Sequence, residues 1–376
     1  MKLNNALVKK QNKIRIFRHL IHHPGTTRPE IAMDLRLSLP TVGQIVSELV
    51  EAGLIVEAGM QASSGGRRAM TLEVEVNARK AIGVDITKNH VGLVAVNLAG
   101  DILAWNRLEK PFAETEEYIH ELEEMVREFG ETHICTRESL LGIGISFPGI
   151  INPDKNVLMV SHELQLKKPF RLKDEHLLYS EKKPVYFFND ATAVCMAEVY
   201  IGRSPRDFSL LALSNTVGGA CVSNGVVLHG ANNRSGEVGH VCIVPGGRTC
   251  YCGKEGHFDA YCSALRLAEH SKNGTVEGFF EQLEQGDGEC KERFEEYLDY
   301  LALMVYNLHM VNDYPVVIGG YVGSYLQKYL SRIREKVREL NIFEEEQEYL
   351  YLCHYNVEGA AVGSARYFIE KFIDEL

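Results

Sequence analysis

The sequence predicts an α/β body of two lobes preceded by a small helical head that ends in a β-hairpin. Two stretches carry the body: residues 80–103, KAIGVDITKNHVGLVAVNLAGDIL, alternate strand, polar turn, strand, Asn/Gly turn and strand, and residues 208–229, FSLLALSNTVGGACVSNGVVLH, repeat that layout. A three-stranded meander that recurs far along the chain points to a duplicated unit, hence two lobes with a cleft between them. Charge sets the head apart: residues 1–80 carry 12 Lys+Arg against 7 Asp+Glu, whereas the remainder carries 28 against 44. A basic head on an acidic body confines any contact with a polyanion to the head.

Length and composition agree. At 376 residues the chain exceeds one ordinary domain, and 45% hydrophobic with 24% charged residues is the composition of a globular protein. No apolar run reaches the roughly 20 residues that cross a bilayer, and the start, MKLNNALVKKQNK, lacks the apolar core of a signal peptide. Nine cysteines, an odd number without a secretion signal, argue for reduced thiols and a cytoplasmic location, with no membrane partner. Cys135, Cys195, Cys221, Cys242, Cys262, Cys290 and Cys353 are expected to pack as small apolar residues. The division expected is residues 1–76 for the head and 77–376 for the body.

In the head, residues 4–22 form one amphipathic helix, with Leu7, Ile14, Phe17, Leu20 and Ile21 at helical spacing until His23-Pro24-Gly25 stops it. Thr27 and Glu30 make a capping-box pattern that opens a short helix through Ile31, Ala32 and Leu35. After a turn at Arg36-Leu37, Ser38 caps a third helix with Pro40 in its tolerant first turn. Its buried face is read as Leu39, Val42, Ile45, Val46 and Leu49, which leaves Thr41, Gln44 and Ser47 outward. Two short helices with a tight turn, the second showing small polar residues, is the helix-turn-helix arrangement for a major groove. Strands at 54–60 and 70–76 flank QASSGGRRA, so Arg67 and Arg68 stand at a hairpin tip able to reach phosphates or a minor groove. Head and hairpin together read as a winged helix that binds double-stranded operator DNA through Ser38, Thr41, Gln44, Ser47, Arg67 and Arg68. Glu48 and Glu51 weigh against that reading, since carboxylates on the exposed face repel phosphate.

The body adds a helix at 118–129, a strand at 140–151 entering the turn Phe147-Pro148-Gly149, and a strand at 184–188. Asn189-Asp190 stands where that strand gives way to a helix at 191–201. Phe294, Leu298, Leu301, Val305 and Leu308 line a long helix that leads to a buried strand at 315–318 ending in Gly319-Gly320, and residues 358–372 close the chain as a helix with small residues for close packing.

Between these elements lies GEVGHVCIVPGGRTCYCGKEGHFDAYC. His240 is followed after nine residues by Cys250-x-Cys252 and after four more by His257. Imidazole nitrogens and thiolates are what tetrahedral zinc takes, four ligands with no open position make a structural site, and two thiolates with two neutral imidazoles leave Zn(II) uncharged. The bland alternative is a polar Gly-rich turn whose cysteines are incidental.

GEVGH followed at this distance by CYCGKEGH resembles the signature of the ROK proteins (repressors, open reading frames and kinases), roughly G-E-x-G-H … C-x-C-G-x-x-G-C-x-E. His257 stands where the family has its third cysteine, and Asp259 where it has glutamate. The head resembles the winged helix of ROK repressors, in which a Ser-x-Gly-Gly-Arg wing recurs. The resemblance implies an actin-like, ribonuclease-H-like sugar-kinase fold for the body and a homodimer or dimer of dimers. It implies sugar contacts at Asn189, Asp190, Glu237, His240 and Asp259, with Asp190 at the place of the kinase's general base. The shorter Asp259 is expected to miss the hydroxyl or reach it through water. Asn189-Asp190 also suits a helix N-cap, and both roles are compatible.

The family's kinases cradle ATP on Gly-rich turns, where backbone N–H groups approach phosphate. Here the first turn reads Asp85-Ile86-Thr87-Lys88-Asn89 with both glycines gone. The second, Ser214-Asn215-Thr216-Val217-Gly218-Gly219-Ala220, has three glycines replaced, and the third ends in Tyr321. Asp85 and Asp190 alone do not position a nucleotide for phosphoryl transfer. The reading is a DNA-binding transcriptional regulator, a repressor of carbohydrate metabolism that senses a sugar without phosphorylating it. The competing reading is a sugar kinase with an appended DNA-binding head.

Overall fold

The computed structural model describes residues 5–60, 69–134, 136–172, 183–343 and 349–376. Helix Asn5–His22 leads the head, helix Arg28–Leu35 follows, and helix Leu39–Glu51 lies across them. The capping box forms as expected: Thr27 donates from both N and Oγ1 to Glu30 Oε2 at 2.7 Å. Arg36 takes the left-handed conformation (φ 54°) that reverses the chain between the second and third helices. Strands Ile55–Met60 and Met70–Val74 pair antiparallel, with Thr26–Thr27 on the other side of Met70–Val74. Three residues expected to pack inside are solvent-facing instead, Leu39, Leu7 and Cys242. Leu39 is 51% exposed and Leu7 48% exposed, because each lies in the first turn of its helix, before the helix reaches its neighbours.

The duplication is explicit in the sheets. Lys80–Ile86, His90–Asn97 and Ile102–Glu109 form an antiparallel meander, extended in parallel by Leu140–Phe147 and then Val185–Asn189. Phe208–Leu213, Val217–Ser223 and Val226–Leu228 form the second meander, extended in parallel by Val316–Gly319 and then Leu350–Leu352. Each sheet thus has five strands in the same order. Their buried runs of Val, Ile and Leu suit strands covered on both faces.

Helix Gly359–Glu375 returns from the end of the second lobe to lie on the first. It does so because Gly83 and Gly144 leave room: a Cβ at Gly83 would stand 1.8 Å from Ala361 O, and one at Gly144 2.2 Å from Ser364 O. The same helix packs along helix Asp190–Ile201. Head and body share a core here, since Ile16, Phe17 and Leu20 of the first helix belong to one buried cluster with Ala361, Phe368, Ile369 and Ile373. Arg18 adds ion pairs to Glu370 at 2.6 Å and Asp374 at 3.0 Å. Among the described residues no helix is long and apolar enough to cross a membrane.

Candidate functional site

A cavity of about 640 Å³ opens between the lobes. The strand Val185–Asn189 delivers the chain to its floor, where helix Asp190–Ile201 begins. Asn189 caps that helix, accepting from Thr192 N at 2.9 Å, while its amide donates to Gly149 O and to Asp190 Oδ1, each at 3.0 Å. The cap therefore employs most of the carboxamide. Asp190 accepts from Ala191 N at 2.9 Å. Burial, then the Glu163 and Asp85 carboxylates, push Asp190 up to about 8, and burial lifts Asp85 to about 6. Helix N–H groups favour the anion, but desolvation beside like charges outweighs them, so Asp190 is largely protonated near pH 7 when nothing occupies the cleft.

The opposite wall comes from the GEVGH turn. Gly236 and Gly239 lie directly on the strand Val217–Ser223, where added Cβ atoms would stand 2.5 Å from Gly219 O and 2.2 Å from Val217 O. That contact fixes the short turn Val238–His240 and aims Glu237 and His240 into the cavity. Burial raises the Glu237 carboxyl. His240 has two faces. Its Nε2 lies 3.2 Å from Tyr251 Oη and 4.0 Å from Glu237 Oε2 on the cavity side. Its Nδ1 points the other way, 3.4 Å from His257 Nδ1 and 4.0 Å from Cys250 Sγ.

The expected ligand set comes together: His240, Cys250, Cys252 and His257 place one donor atom each within 4.8 Å of one another. Cys252 Sγ lies 3.3 Å from His257 Nδ1. A tetrahedral zinc with ordinary bond lengths holds nitrogens about 3.3 Å apart and nitrogen from sulfur about 3.6 Å apart, so the spacing fits such an ion. Burial, with His257 and His162, keeps the His240 imidazole below its usual range, which favours the neutral, ligating form. Burial pushes the Cys250 thiol up to about 11, a cost that a bound cation would offset. The loop is shaped by Cys250 N donating to Lys254 O at 2.7 Å and by Gly256 at φ 78°, where a Cβ would meet Val244 O at 1.9 Å.

Asp259 stands apart from the cavity. It is 5% exposed, and its Oδ2 accepts from Val217 N at 2.6 Å, so it ties the His/Cys loop to the second meander. The turns corresponding to the ATP loops line a smaller cavity of about 390 Å³ with Asp85, Thr87, Asn215 and Tyr321. Thr216, at a glycine position of the second turn, crosses the cleft to donate to Glu163 Oε2 at 3.0 Å.

On the head, Ser38 Oγ accepts from Thr41 N at 3.3 Å and lies 2.7 Å from Thr41 Oγ1, so both sit at the N-terminus of helix Leu39–Glu51. Gln44 and Ser47 are exposed on the same face. Glu48 is drawn aside by Lys9 at 2.5 Å and by Gln44 at 3.2 Å, which lessens its repulsion of a phosphate. Arg67 and Arg68 lie outside the described residues, as does Cys135. Sequence reasoning passed over His162, Glu163, Tyr186, Arg234, Tyr251 and Tyr367, all of which line the larger cavity. They come from separate loops, a strand edge and the last helix, and only Tyr251, between the two loop cysteines, carried a positional signal.

A two-lobed sugar-kinase-type body carrying a winged helix and a His/Cys cluster is the class of molecule these features define. The model of the ROK family matches residues 81–371, and that of winged helix-turn-helix DNA-binding domains matches residues 9–56. The chain belongs to the ROK family. It is 27% identical over 278 residues to the DNA-binding transcriptional dual regulator NagC of Escherichia coli, covering 73% of this chain and 68% of that protein. It is 25% identical over 340 residues to the xylose repressor of Caldicellulosiruptor bescii, covering 84% of each. A ROK family transcriptional regulator described as a homolog of the E. coli MLC protein shares the fold, with a TM-score of 0.75 at 20% identity over 98% of this chain and 97% of that one.

Proposed function

We propose that the protein is a sugar-responsive transcriptional repressor. Its winged helix binds operator DNA as a homo-oligomer in the cytoplasm, and a saccharide in the interlobe cleft changes that binding. The observation that carries the reading is the dual position of helix Gly359–Glu375. Its Tyr367 lines the cavity, while its Glu370 and Asp374 hold Arg18 of the head. One helix thus touches both the cleft and the head, a route by which binding at one can bias the other.

In this mechanism Asp190, Glu237 and the Nε2 face of His240 bond sugar hydroxyls, with Asn189 mainly shaping the helix start. A structural zinc on His240, Cys250, Cys252 and His257 would fix the His240 ring, as a ligand's second nitrogen commonly serves an outer partner. Asp259 fastens that loop to the lobe. Ser38, Thr41, Gln44 and Ser47 face the major groove and Arg67 and Arg68 reach the backbone. The relatives' names support transcriptional regulation and, for the xylose repressor, repression, and the side chains at Thr87, Asn215, Thr216 and Tyr321 support sensing without phosphoryl transfer. The deciding experiment combines a sugar panel read by thermal shift with binding to the promoter of the chain's own operon. A sugar that stabilises the protein and alters its DNA affinity, without consuming ATP, is the expected result. Steady hexose-dependent ATP turnover abolished by Asp190→Asn would show a kinase instead.

A further inference from the structure

The interlobe cavity changes character along its length. Around Asp190 its lining is polar, with Glu163, Glu237 and His240. Back along the strand Val185–Asn189 it becomes aromatic. Tyr186 and Phe188 alternate with Phe187, which borders the cavity but is buried in the core of the first lobe, so the two flanking rings turn to the other side of this edge strand. Tyr367 closes against them from the C-terminal helix, its ring centroid 5.7 Å from that of Tyr186 and 5.1 Å from that of Phe188.

All three rings line the cavity and remain half-buried; Phe368 stacks on one face of Tyr186, its ring centroid at 5.6 Å, and the Lys371 ammonium lies 5.3 Å from the same ring, so Phe188 and Tyr367 offer the freer faces. Tyr186 precedes Asn189 by three residues, about 10 Å along an extended strand, which is farther than one pyranose spans. The volume of about 640 Å³ also lies within the range of roughly 300–1,000 Å³ that encloses drug-sized ligands, and a single sugar ring leaves much of it unfilled. Aromatic faces matched to a polar end suit a ligand with two parts. A pyranose presents apolar C–H faces and hydroxyl edges, so a ring beyond the polar end can lay a face on tyrosine while its hydroxyls stay wet. Exposed His229, Asn233 and Arg234 add donors to the same lining.

We propose that the cleft is built for a disaccharide or longer glycoside, with one ring at Asp190, Glu237 and His240 and the next packed against the aromatic wall of Tyr186, Phe188 and Tyr367. This deepens, and rests on, the reading of the cleft as a saccharide site. Calorimetric titration of the full-length protein tests it, with xylose, glucose and N-acetylglucosamine set against xylobiose, cellobiose and N,N′-diacetylchitobiose. At least one disaccharide is expected to bind about tenfold or more tightly than its own monomer, the scale of one well-stacked ring. Tyr186→Ala combined with Tyr367→Ala should bring that ratio close to one, with folding checked by circular dichroism. Tyr186→Leu, a milder change on an edge strand, should lower the ratio in the same direction. A wild-type protein that binds each monomer as tightly as its dimer overturns the second subsite and leaves the sugar-sensing reading standing. Survival of the full ratio in the folded variants also overturns it. If no saccharide of either size binds, the parent reading fails and this one with it.

Discussion

The two lobes share one strand order and differ in what is fastened to it. On the first, glycines at 83 and 144 let the chain's last helix sit against the sheet backbone, and that helix carries the winged head through a common core. On the second, Gly236 and Gly239 seat the turn that leads into the His/Cys loop. A duplicated frame has thus been specialised twice by the same device, a pair of glycines that admits a foreign segment. The first lobe faces the DNA-binding head, the second bears the His/Cys loop, and Asp190 and His240 both line the cavity between them.

If that division of labour holds, removing the metal should damage the second lobe's side of the cleft and spare the head. One tightly held zinc per chain is expected by elemental analysis. His257→Ala should lose most of it, and His257→Cys should keep it. Loss of the ion should lower saccharide affinity roughly tenfold, the scale of one misoriented hydrogen bond to the sugar, because the His240 ring is no longer held, with DNA affinity in the absence of sugar little changed. Stoichiometric zinc in His257→Ala would reassign the fourth ligand to a neighbour such as Cys242 or Cys262, and a zinc-free wild type would reduce the loop to a polar turn.

The first lobe's contribution to the cleft should show itself in pH dependence. Asp190 titrates near 8 in the folded protein against an ordinary value of 3.8, and burial is the main cause. The folded state therefore binds a proton that the unfolded chain has released between these values. Stability from this group is fully present below about 4 and is lost as pH rises through about 8. Asp190→Asn keeps the shape and removes the titration. Its melting temperature relative to the wild type should climb between pH 5 and pH 9, in protein without sugar. A constant difference across that range would mean that solvent reaches the carboxylate freely.

How much of this was legible in the sequence depends on the range of the interactions involved. The head and both meanders follow from periodicity and turn residues, which act between near neighbours, and the capping box at Thr27 and Glu30 formed as written. The four residues of the His/Cys cluster were also local, lying within 18 residues, His240 to His257. What the sequence concealed was placement across the chain. Nothing in residues 358–372 indicates that the helix returns to the first lobe, since that depends on the bare backbone at Gly83 and Gly144. Asp259 looked like a sugar contact because of its position in a motif, yet its carboxylate is turned onto Val217 N. Leu39 satisfied helical spacing but lies where the helix has not yet met its neighbours.

A smaller effect is expected at the hairpin tip. Arg67→Ala with Arg68→Ala should weaken operator binding and reduce the slope of log affinity against log salt by about one unit per lost phosphate contact. Saccharide affinity should not move, because the sequence places both arginines in the head and away from the cleft residues. An unchanged slope in a mobility-shift titration takes the wing out of the interface.

The smallest change in stability, and the sharpest test of the division between the lobes, concerns Arg18. Its side chain is 40% exposed and its partners Glu370 and Asp374 are 20% and 64% exposed, so solvent screens the ion pairs. Arg18→Ala should therefore cost at most about 1 kcal/mol of stability, and the apolar contacts of Ile16, Phe17 and Leu20 should keep the head docked. Its effect on regulation should be larger than its effect on stability. The ion pairs tie the head to the last turns of the helix that also bears Tyr367. Without them, the described contacts through which a shift of that helix reaches the head are chiefly non-directional apolar packing. The expected readout is the ratio of operator affinities with and without bound saccharide, which should shrink in Arg18→Ala while each ligand still binds alone. Replacing Glu370 and Asp374 together by Ala should shrink it to the same extent, and adding Arg18→Ala to that pair should change nothing further, because the three residues act as one contact. An undiminished ratio in Arg18→Ala would place the coupling in the shared apolar core, and the comparison between the lobes would then turn on Phe17 and Ile369.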